Sequence, residues 1–216
     1  MIHLKDGERS FSYWRSVSAA KLLARDGDRL RTAIDAAEVV VFSGITLAIL
    51  PGEDVETLLA ELRRAKAAGK RIAFDPNIRP RLWDDAERMR KTITEGARAA
   101  TLVMPSLDDE TSHFGDAGLE DTIARYRALG VADLVVKDGA DGATLVFGTT
   151  RSHAPSAKVE KIVDTTSAGD SFNGAFLARL ATGASPQDSA RFAADVAAAV
   201  IQHHGALVAK EKLPEG

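Results

Sequence analysis

Short apolar runs alternate with helical patterns along most of this chain. The apolar runs end in polar or turn residues and occupy residues 39–42, 71–74, 102–104 and 134–137. Continuous apolar runs are typical of strands that are buried on both faces of a sheet. Amphipathic helical patterns follow them at residues 53–68, 85–99 and 119–129. Strands that alternate with helices of this length predict an α/β layered fold around a mostly parallel sheet.

The two ends of the chain add further elements to this pattern. Near the start, partial alternation predicts a strand at residues 10–16 after a turn at 6–7. In the second half we expect a hairpin whose returning strand is 143–147, a loop at 158–167 and two helices at 168–181 and 186–203. Ligands of parallel sheets bind outside the carboxyl ends of the strands. The polar clusters that follow the predicted strands are therefore the candidate functional segments.

Composition narrows the class of protein. A chain of 216 residues is long enough for one sizeable core, and its net charge of -3 gives no general attraction to nucleic acid or to anionic membranes. The chain has no cysteine, which excludes disulfides and cysteine-based zinc sites. It also shows no membrane-length apolar stretch and no apolar signal-peptide core at its start. We therefore expect a cytoplasmic protein that does not bind nucleic acid or membrane.

The segment at residues 164–174 carries the strongest chemical signal, DTTSAGDSFNG. A polar loop runs into small residues and then into an apolar helical pattern, so the first backbone amides of a helix are left open to an anion. Asp170 falls in the first turn, where it could accept a proton from a hydroxyl that attacks a bound phosphate. The alternative is that Ser167 or Asp170 only caps the helix.

This segment closely resembles the C-terminal signature of the ribokinase-like, or phosphofructokinase-B, family of carbohydrate kinases. Every position matches the family pattern except Ser167, where glycine is usual. The resemblance implies that Asp170 is the catalytic base and that the amides of Ser167, Ala168 and Gly169 form the anion hole. It also implies a ribokinase-like three-layer sandwich with a mostly parallel central sheet.

A glycine-rich turn between two strands supports the same family. The sequence 137–142, KDGADG, resembles the turn with which the family lines the nucleotide phosphates, whereas the alternative is an ordinary hairpin turn. Since no Walker-type loop is present, ATP would have to bind by this other route. The resemblance implies nucleotide contacts from the turn residues Lys137, Asp138, Gly139, Ala140, Asp141 and Gly142.

Two further segments indicate a carboxylated sugar as substrate. Residues 75–83 resemble the active-site loop of 2-keto-3-deoxygluconate kinases within the family, in which the residue at Arg79 can meet both substrate and nucleotide. Its guanidinium is suited to a carboxylate or a phosphate. Near the start, an aromatic and basic group resembles the lid of the same kinases. The resemblance implies substrate contacts from Tyr13, Trp14 and Arg15, and a nucleotide contact from Asn77. The alternatives are a surface arginine on a turn and an exposed edge-strand pair.

The remaining candidates concern magnesium and the base of the nucleotide. Residues 105–110 align with a family region that helps to organise magnesium, with Ser106 where asparagine is usual and Asp109 where glutamate is usual. Both keep the oxygen atoms that a hard cation requires, so Asp109 and Glu110 are candidate metal residues, directly or through water. A capped helix start explains the same acids. His203 is a nucleotide-contact candidate or simply a residue at a helix end.

The resemblance covers only part of the family's length. It implies one kinase domain over residues 1–216, with residues 8–17 as a remnant of the lid and with the N-terminal part of the sheet and lid missing. The implied reaction is ATP-dependent phosphorylation of 2-keto-3-deoxygluconate with Mg²⁺, with a monovalent cation and a homo-oligomer as further expectations. The alternatives are another sugar or nucleoside kinase of the family and a non-catalytic truncated remnant.

Overall fold

The computed structural model describes residues 2–5, 8–11 and 17–215. In these residues the strands are β1 Ile2–Lys5, β2 Glu8–Phe11, β3 Val39–Ser43, β4 Arg71–Asp75, β5 Leu102–Val103, β6 Asp133–Lys137, β7 Ala143–Phe147 and β8 Thr150–Ala154. The α-helices are α1 Gly27–Ala36, α2 Gly44–Ile49, α3 Gly52–Ala67, α4 Ala86–Ala99, α5 Leu107–Phe114, α6 Leu119–Ala128, α7 Ala168–Ala181 and α8 Pro186–Ile201.

The central sheet contains six strands in the order β3-β4-β5-β6-β7-β8. The first four run parallel to one another, and β7 and β8 each pair antiparallel with the preceding strand. A separate antiparallel hairpin joins β1 and β2. The parallel strands place their carboxyl ends, and the loops that follow, at one edge of the sheet. The predicted mostly parallel sheet is therefore confirmed.

Side chains that alternate along the strands pack into two separate cores. In β4, Phe74 faces the core that contains helices α1, α3, α4 and α6, whereas Ala73 faces the core formed with α7 and α8. Likewise in β6, Leu134 and Val136 belong to the first core and Val135 to the second. All five side chains are almost completely buried. Helices thus cover both faces of the sheet, which gives the three layers that the sequence predicted.

At one end of the sheet the two faces are covered unequally. Phe42 of β3 is buried and its ring stacks on that of Phe74 at a centroid distance of 4.5 Å. Val41, on the opposite face of the same strand, is 58% exposed. The layer of α7 and α8 therefore does not cover β3.

The boundaries of most predicted elements agree with the structure to within two residues, and α7 has the predicted bounds. Several elements were not predicted, namely β1, α1, α2 and β8, while α5 agrees with the capped helix start that was the alternative for residues 105–110. The strand expected at 10–16 begins earlier, at Glu8, and residues 12–16 lie outside the described part of the chain. Among the described residues, none of the helices combines the length and apolarity needed to cross a membrane.

Candidate active site

The loop before α7 is held in place by Asp164. One carboxylate oxygen of Asp164 accepts the Thr166 amide at 2.8 Å, and the other accepts the Gly205 amide at 3.0 Å. The loop then enters α7 through Ser167, whose φ of 62° lies in the left-handed region. A glycine adopts this conformation without strain, whereas serine does so at a cost of about 1 kcal/mol. The chain therefore places a serine in a backbone conformation to which glycine is better suited.

The first turn of α7 presents amides of differing availability. The Ala168 amide donates to the Thr165 carbonyl at 3.3 Å, so it is already engaged by a long hydrogen bond. Gly169 and Asp170 are the second and third helical residues, whose amides have no acceptor within the helix. Asp170 is exposed to solvent. Of the three amides predicted to form the anion hole, that of Gly169 is the best placed for a ligand, and the catalytic role of Asp170 stays a prediction.

A cleft of about 570 Å³ lies between α7, α8 and the loops that follow β6 and β8. Its volume is within the range of small-molecule sites, about 300–1,000 Å³. Most of its lining is apolar, with small side chains from α8 on one wall. The predicted site residues that line it are Ser106, Lys137, Gly139, Ala140, Gly142, Ala168 and Gly169. The described part of the chain thus brings the start of α7 and the glycine-rich turn to one cavity.

The glycine-rich turn is shaped by backbone hydrogen bonds. The Asp138 amide donates to the Gly142 carbonyl at 2.8 Å, and the Asp141 amide donates to the Asp138 carbonyl at 2.9 Å. Gly142 has a φ of 94°, and a Cβ at this position would lie 2.2 Å from the Ala154 carbonyl oxygen. Glycine is therefore required here. The turn lines the cleft through Gly139, Ala140 and Gly142, whereas Asp138 and Asp141 are not among the lining residues.

A buried ionic group lies beneath this corner of the cleft. The Lys137 ammonium donates to Asn173 Oδ1 at 3.1 Å and lies 3.4 Å from Asp75 Oδ2. Asn173 Nδ2 in turn donates to Asp75 Oδ2 at 2.6 Å. A Cβ on Gly169 would lie 3.8 Å from Lys137 Nζ, which places this charge against the first turn of α7. We refer to Asp75, Lys137 and Asn173 as the Lys137 triad.

Asp109 and Arg79 lie close together near the end of β4. Asp109 Oδ2 accepts the Ile78 amide at 3.3 Å and lies 4.0 Å from Arg79 Nη1. Burial raises the pKa of Asp109, and the charge of Arg79 opposes that shift. The Arg79 side chain is 54% exposed and donates to the Ile78 carbonyl at 2.7 Å. Asn77 occupies this loop with a positive φ of 36°, and its amide donates to Asp75 at 3.1 Å.

Glu110 is not in the place that the sequence analysis expected. Its side chain is fully buried in the helical layer, where Arg125 Nη2 donates to it at 2.6 Å and the Tyr126 hydroxyl at 3.0 Å. The physical reason is that adjacent residues of a helix point about 100° apart, so Asp109 and Glu110 cannot both face the same loop. Together with Asp116, which accepts from Arg125 at 2.7 Å, these residues form the Arg125 cluster, Glu110, Asp116, Arg125 and Tyr126.

The other predicted contacts are dispersed. His203 Nδ1 lies 2.9 Å from the Ala199 carbonyl of α8, and His203 is not among the residues that line the cleft. Tyr13, Trp14 and Arg15 lie outside the described residues. Across the described ranges, no three or more histidine, aspartate or glutamate side chains form a group that could bind a metal ion. Asp75 and Asn173 were not among the predicted site residues, although both lie within the candidate segments 75–83 and 164–174.

Known proteins resemble this chain in sequence and in fold. The pattern that describes the pfkB family carbohydrate kinases matches residues 1–213. The 2-dehydro-3-deoxygluconokinase of Escherichia coli K12 is 38% identical over 213 residues, which are 96% of this chain and 69% of that protein.

Solved structures confirm the ribokinase-like fold. The PfkB protein of Polaromonas sp. JS666 has a TM-score of 0.81 and 25% identity, over 93% of this chain and 65% of that one. A putative ribokinase II from E. coli in complex with ATP and Mg²⁺ has a TM-score of 0.80 and 25% identity, over 95% of this chain and 65% of that one. The chain thus spans about two thirds of the length of these relatives, and by its sequence and its fold it belongs to the pfkB family of carbohydrate kinases.

Proposed function

We propose that this protein transfers the terminal phosphoryl group of ATP to a small sugar acid, with 2-keto-3-deoxygluconate as the substrate and its 6-phosphate as the product. The observation that carries the proposal is that two features line one corner of a cleft and a third, which does not line it, follows directly in the chain. These are the open Gly169 amide, the Lys137 ammonium and, in the same helical turn, Asp170. Phosphoryl transfer depends mainly on such positioning and on charge stabilisation.

The cleft is the site that we assign to ATP. Its apolar wall suits the flat face of a base, while its polar end holds Lys137 and the start of α7, which suit phosphates. A solved structure that resembles this chain, the putative ribokinase II from E. coli, contains ATP and Mg²⁺, which supports the assignment.

The reaction proposed at this site needs one proton acceptor and a stabilised leaving charge. The Asp170 carboxylate accepts the proton of the sugar's primary hydroxyl as that oxygen bonds to the terminal phosphorus of ATP. The bond from this phosphorus to the bridging oxygen breaks, and ADP leaves with the electron pair. The Gly169 amide and the Lys137 ammonium stabilise the negative charge of the phosphoryl oxygens.

Magnesium would suit two oxygen donors at the start of α5, of which Ser106 lines the cleft. Asp109 supplies one carboxylate and Ser106 one hydroxyl, and a magnesium ion needs only one or two carboxylates when phosphates and waters complete its shell. When bound, the ion would neutralise charge on the phosphates. Glu110 does not fit this role, since its carboxyl group is enclosed by Arg125 and Tyr126. We propose no binding residues for a monovalent cation in the described part of the chain.

The sugar acid would lie on the exposed side of Asp170. Arg79 is the described residue that we assign to its carboxylate, and Tyr13, Trp14 and Arg15 are assigned from the sequence alone. The choice of substrate rests on the name of the E. coli relative, a 2-dehydro-3-deoxygluconokinase, which is the same sugar acid under another name.

The test is formation of ADP and of the phosphorylated sugar from purified protein, ATP, Mg²⁺ and a panel of 2-keto-3-deoxygluconate, fructose, ribose and a nucleoside. We expect turnover of the sugar acid, and loss of turnover by about 10²-fold or more in Asp170→Asn, because an amide cannot accept the proton. Asp195→Asn, an exposed aspartate on α8, is the matched control and should stay active.

Three results would contradict parts of this proposal. Turnover of fructose, ribose or the nucleoside in place of the sugar acid would make the protein another kinase of the family. Undiminished turnover by Asp170→Asn would remove the assigned base. ATP binding without any phosphoryl transfer would identify a non-catalytic remnant.

A further inference from the structure

Two members of the Lys137 triad have no part in the reaction as written above, namely Asp75 and Asn173. We propose that they are positioning residues, which hold the Lys137 ammonium beneath the first turn of α7 so that the helix N-terminus and this charge act on the same phosphate. The inference rests on the proposed function and adds two residues to it. Neither residue has to touch the nucleotide for this role.

Asn173 connects a cation and an anion through a neutral side chain. Its Nδ2 donates to the Asp75 carboxylate at 2.6 Å, and its Oδ1 accepts from Lys137 at 3.1 Å. An amide can make both contacts at once, whereas a carboxylate has no donor and an apolar side chain has neither group. Asn173 is itself only 7% exposed and lies on α7. It therefore ties this helix to the ends of two strands that are far away in sequence.

Asp75 is held by three donors from three parts of the chain. Besides the contacts with Asn173 and Lys137, its Oδ1 accepts the Asn77 amide at 3.1 Å. The carboxylate is thus fixed in position at the end of β4, and it supplies the negative charge that a buried ammonium needs. Because its shortest contact is with Asn173 at 2.6 Å and its distance to Lys137 is 3.4 Å, the ammonium is not tightly closed into a salt bridge.

Lys137 keeps a donor for a ligand. An ammonium carries three hydrogens, and within the described residues its contacts are those with Asp75 and Asn173. Its side chain is 12% exposed, and Lys137 lines the cleft. A purely structural ion pair does not require the cation to lie at the wall of a cavity. The arrangement instead presents a held charge to a phosphate at the start of α7.

An exchange of two side chains tests the proposal. Asp75→Asn removes the anion, and Asn173→Asp places a second carboxylate against Asp75. The double variant Asp75→Asn with Asn173→Asp restores one amide, one carboxylate and one ammonium with the positions exchanged. We expect each single variant to raise the Kd for ATP with Mg²⁺ by about 10- to 100-fold, since a charge-assisted contact is misplaced. The double variant should recover most of that loss.

Isothermal titration with ATP and Mg²⁺ measures the Kd values, and steady-state kinetics separates the two substrates. We expect the KM for ATP to rise in the single variants while the KM for the sugar acid stays the same. Asp116→Asn is the matched control, because it removes a carboxylate that accepts from a cation and from the Thr122 hydroxyl at 2.8 Å in the Arg125 cluster. It should lower stability without changing the Kd for ATP. If Asp75→Asn does not fold, Asn173→Asp and the double variant carry the test.

The outcomes separate the inference from the proposed function. If the wild-type protein binds ATP and the single variants bind it equally well, the inference is overturned and the proposed function stands. The same holds if the exchanged double variant binds no better than the single variants. If the wild-type protein does not bind ATP at all, the proposed function is overturned, and the inference with it.

Discussion

The Lys137 triad and the Arg125 cluster both bury a cation among acidic and neutral partners, yet they differ in what surrounds the cation. The Arg125 guanidinium, whose side chain is 22% exposed, donates through Nη2 to Glu110 and Asp116 and stacks over the Phe114 ring at 4.1 Å, and it lines no part of the cleft. The Lys137 ammonium lies at the wall of the cleft, with its carboxylate partner 3.4 Å away. A charge with buried partners therefore does not by itself indicate a functional site, and the feature that distinguishes the Lys137 ammonium is its place at the wall of a cavity.

The two groups also differ in how they hold protons. Burial raises the pKa of Glu110 to about 7, and the opposing effects of Arg125 and Tyr126 do not cancel it. Although burial acts in the same direction on Asp116, hydrogen bonds from Arg125 and Thr122 lower the pKa of that carboxyl group. Asp116 thus neutralises Arg125, while Glu110 takes up a proton near neutral pH. The charges of the Arg125 cluster therefore balance when Glu110 is protonated, and the cluster is negatively charged when Glu110 is ionised.

The largest expected effect is on stability, from Arg125→Met. This change leaves Glu110 and Asp116 without their cation, so we expect the free energy of unfolding at pH 8 to fall by about 3 kcal/mol. Urea denaturation measures it. The Kd for ATP of the folded variant should not change, because the cluster does not line the cleft. A loss of stability below about 1 kcal/mol would show that the cluster is not a major support of the helical layer.

The next largest effect is on binding, from Lys137→Met. We expect the Kd for ATP to rise by about 10- to 100-fold, since one charge-assisted contact to a phosphate is lost. The loss of stability should be smaller than in Arg125→Met, because Asp75 keeps its contacts with Asn77 and Asn173. Lys161→Met, at an exposed position in the loop before α7, is the control and should bind ATP normally. Equal Kd values for both variants would place the phosphates elsewhere.

The smallest effect is a pH dependence, which Glu110→Gln should remove. Since the folded-state pKa of Glu110 is raised to about 7, the unfolded chain loses this proton at lower pH than the folded chain. The stability of the wild-type protein therefore decreases, by about 1–3 kcal/mol, as pH rises from the ordinary glutamate range through 7. The glutamine side chain does not titrate, so the variant lacks this contribution to the pH dependence.

Urea denaturation of both proteins at several pH values measures the difference between them. We expect the variant to gain stability relative to the wild type across that interval. Parallel curves would mean that Glu110 stays ionised beside Arg125.

Parts of the fold that local patterns specify could be predicted from the sequence. The buried strands and α7 were predicted because their apolar residues are dense and their ends carry turn residues. In contrast, α1 buries only Leu30 and Ile34, and α2 is six residues long. Strand β8 is polar, with the sequence TRSHA, and is held by its hairpin pairing with β7. Tertiary pairing, rather than local pattern, determines these elements.

The parts of the candidate site that consist of local motifs could likewise be predicted from the sequence, whereas the long-range contacts could not. The start of α7 and the turn after β6 are local motifs, and the structure brings both to one cleft. The link between Asp75 and Asn173 spans 98 residues of sequence, so it follows only from the packing of α7 on the sheet. The choice between Asp109 and Glu110 likewise depends on the orientation of α5, which the sequence did not define.

The most direct test of the central claim is a crystal structure of this protein with Mg²⁺ and a non-hydrolysable ATP analogue. The distances to measure are those from the phosphate oxygens to the Gly169 amide and to Lys137 Nζ. We predict that both are hydrogen bonds, within about 3.2 Å, with Asp170 facing the terminal phosphate. A triphosphate bound away from the start of α7, or an Asp170 side chain turned from it, would contradict the account.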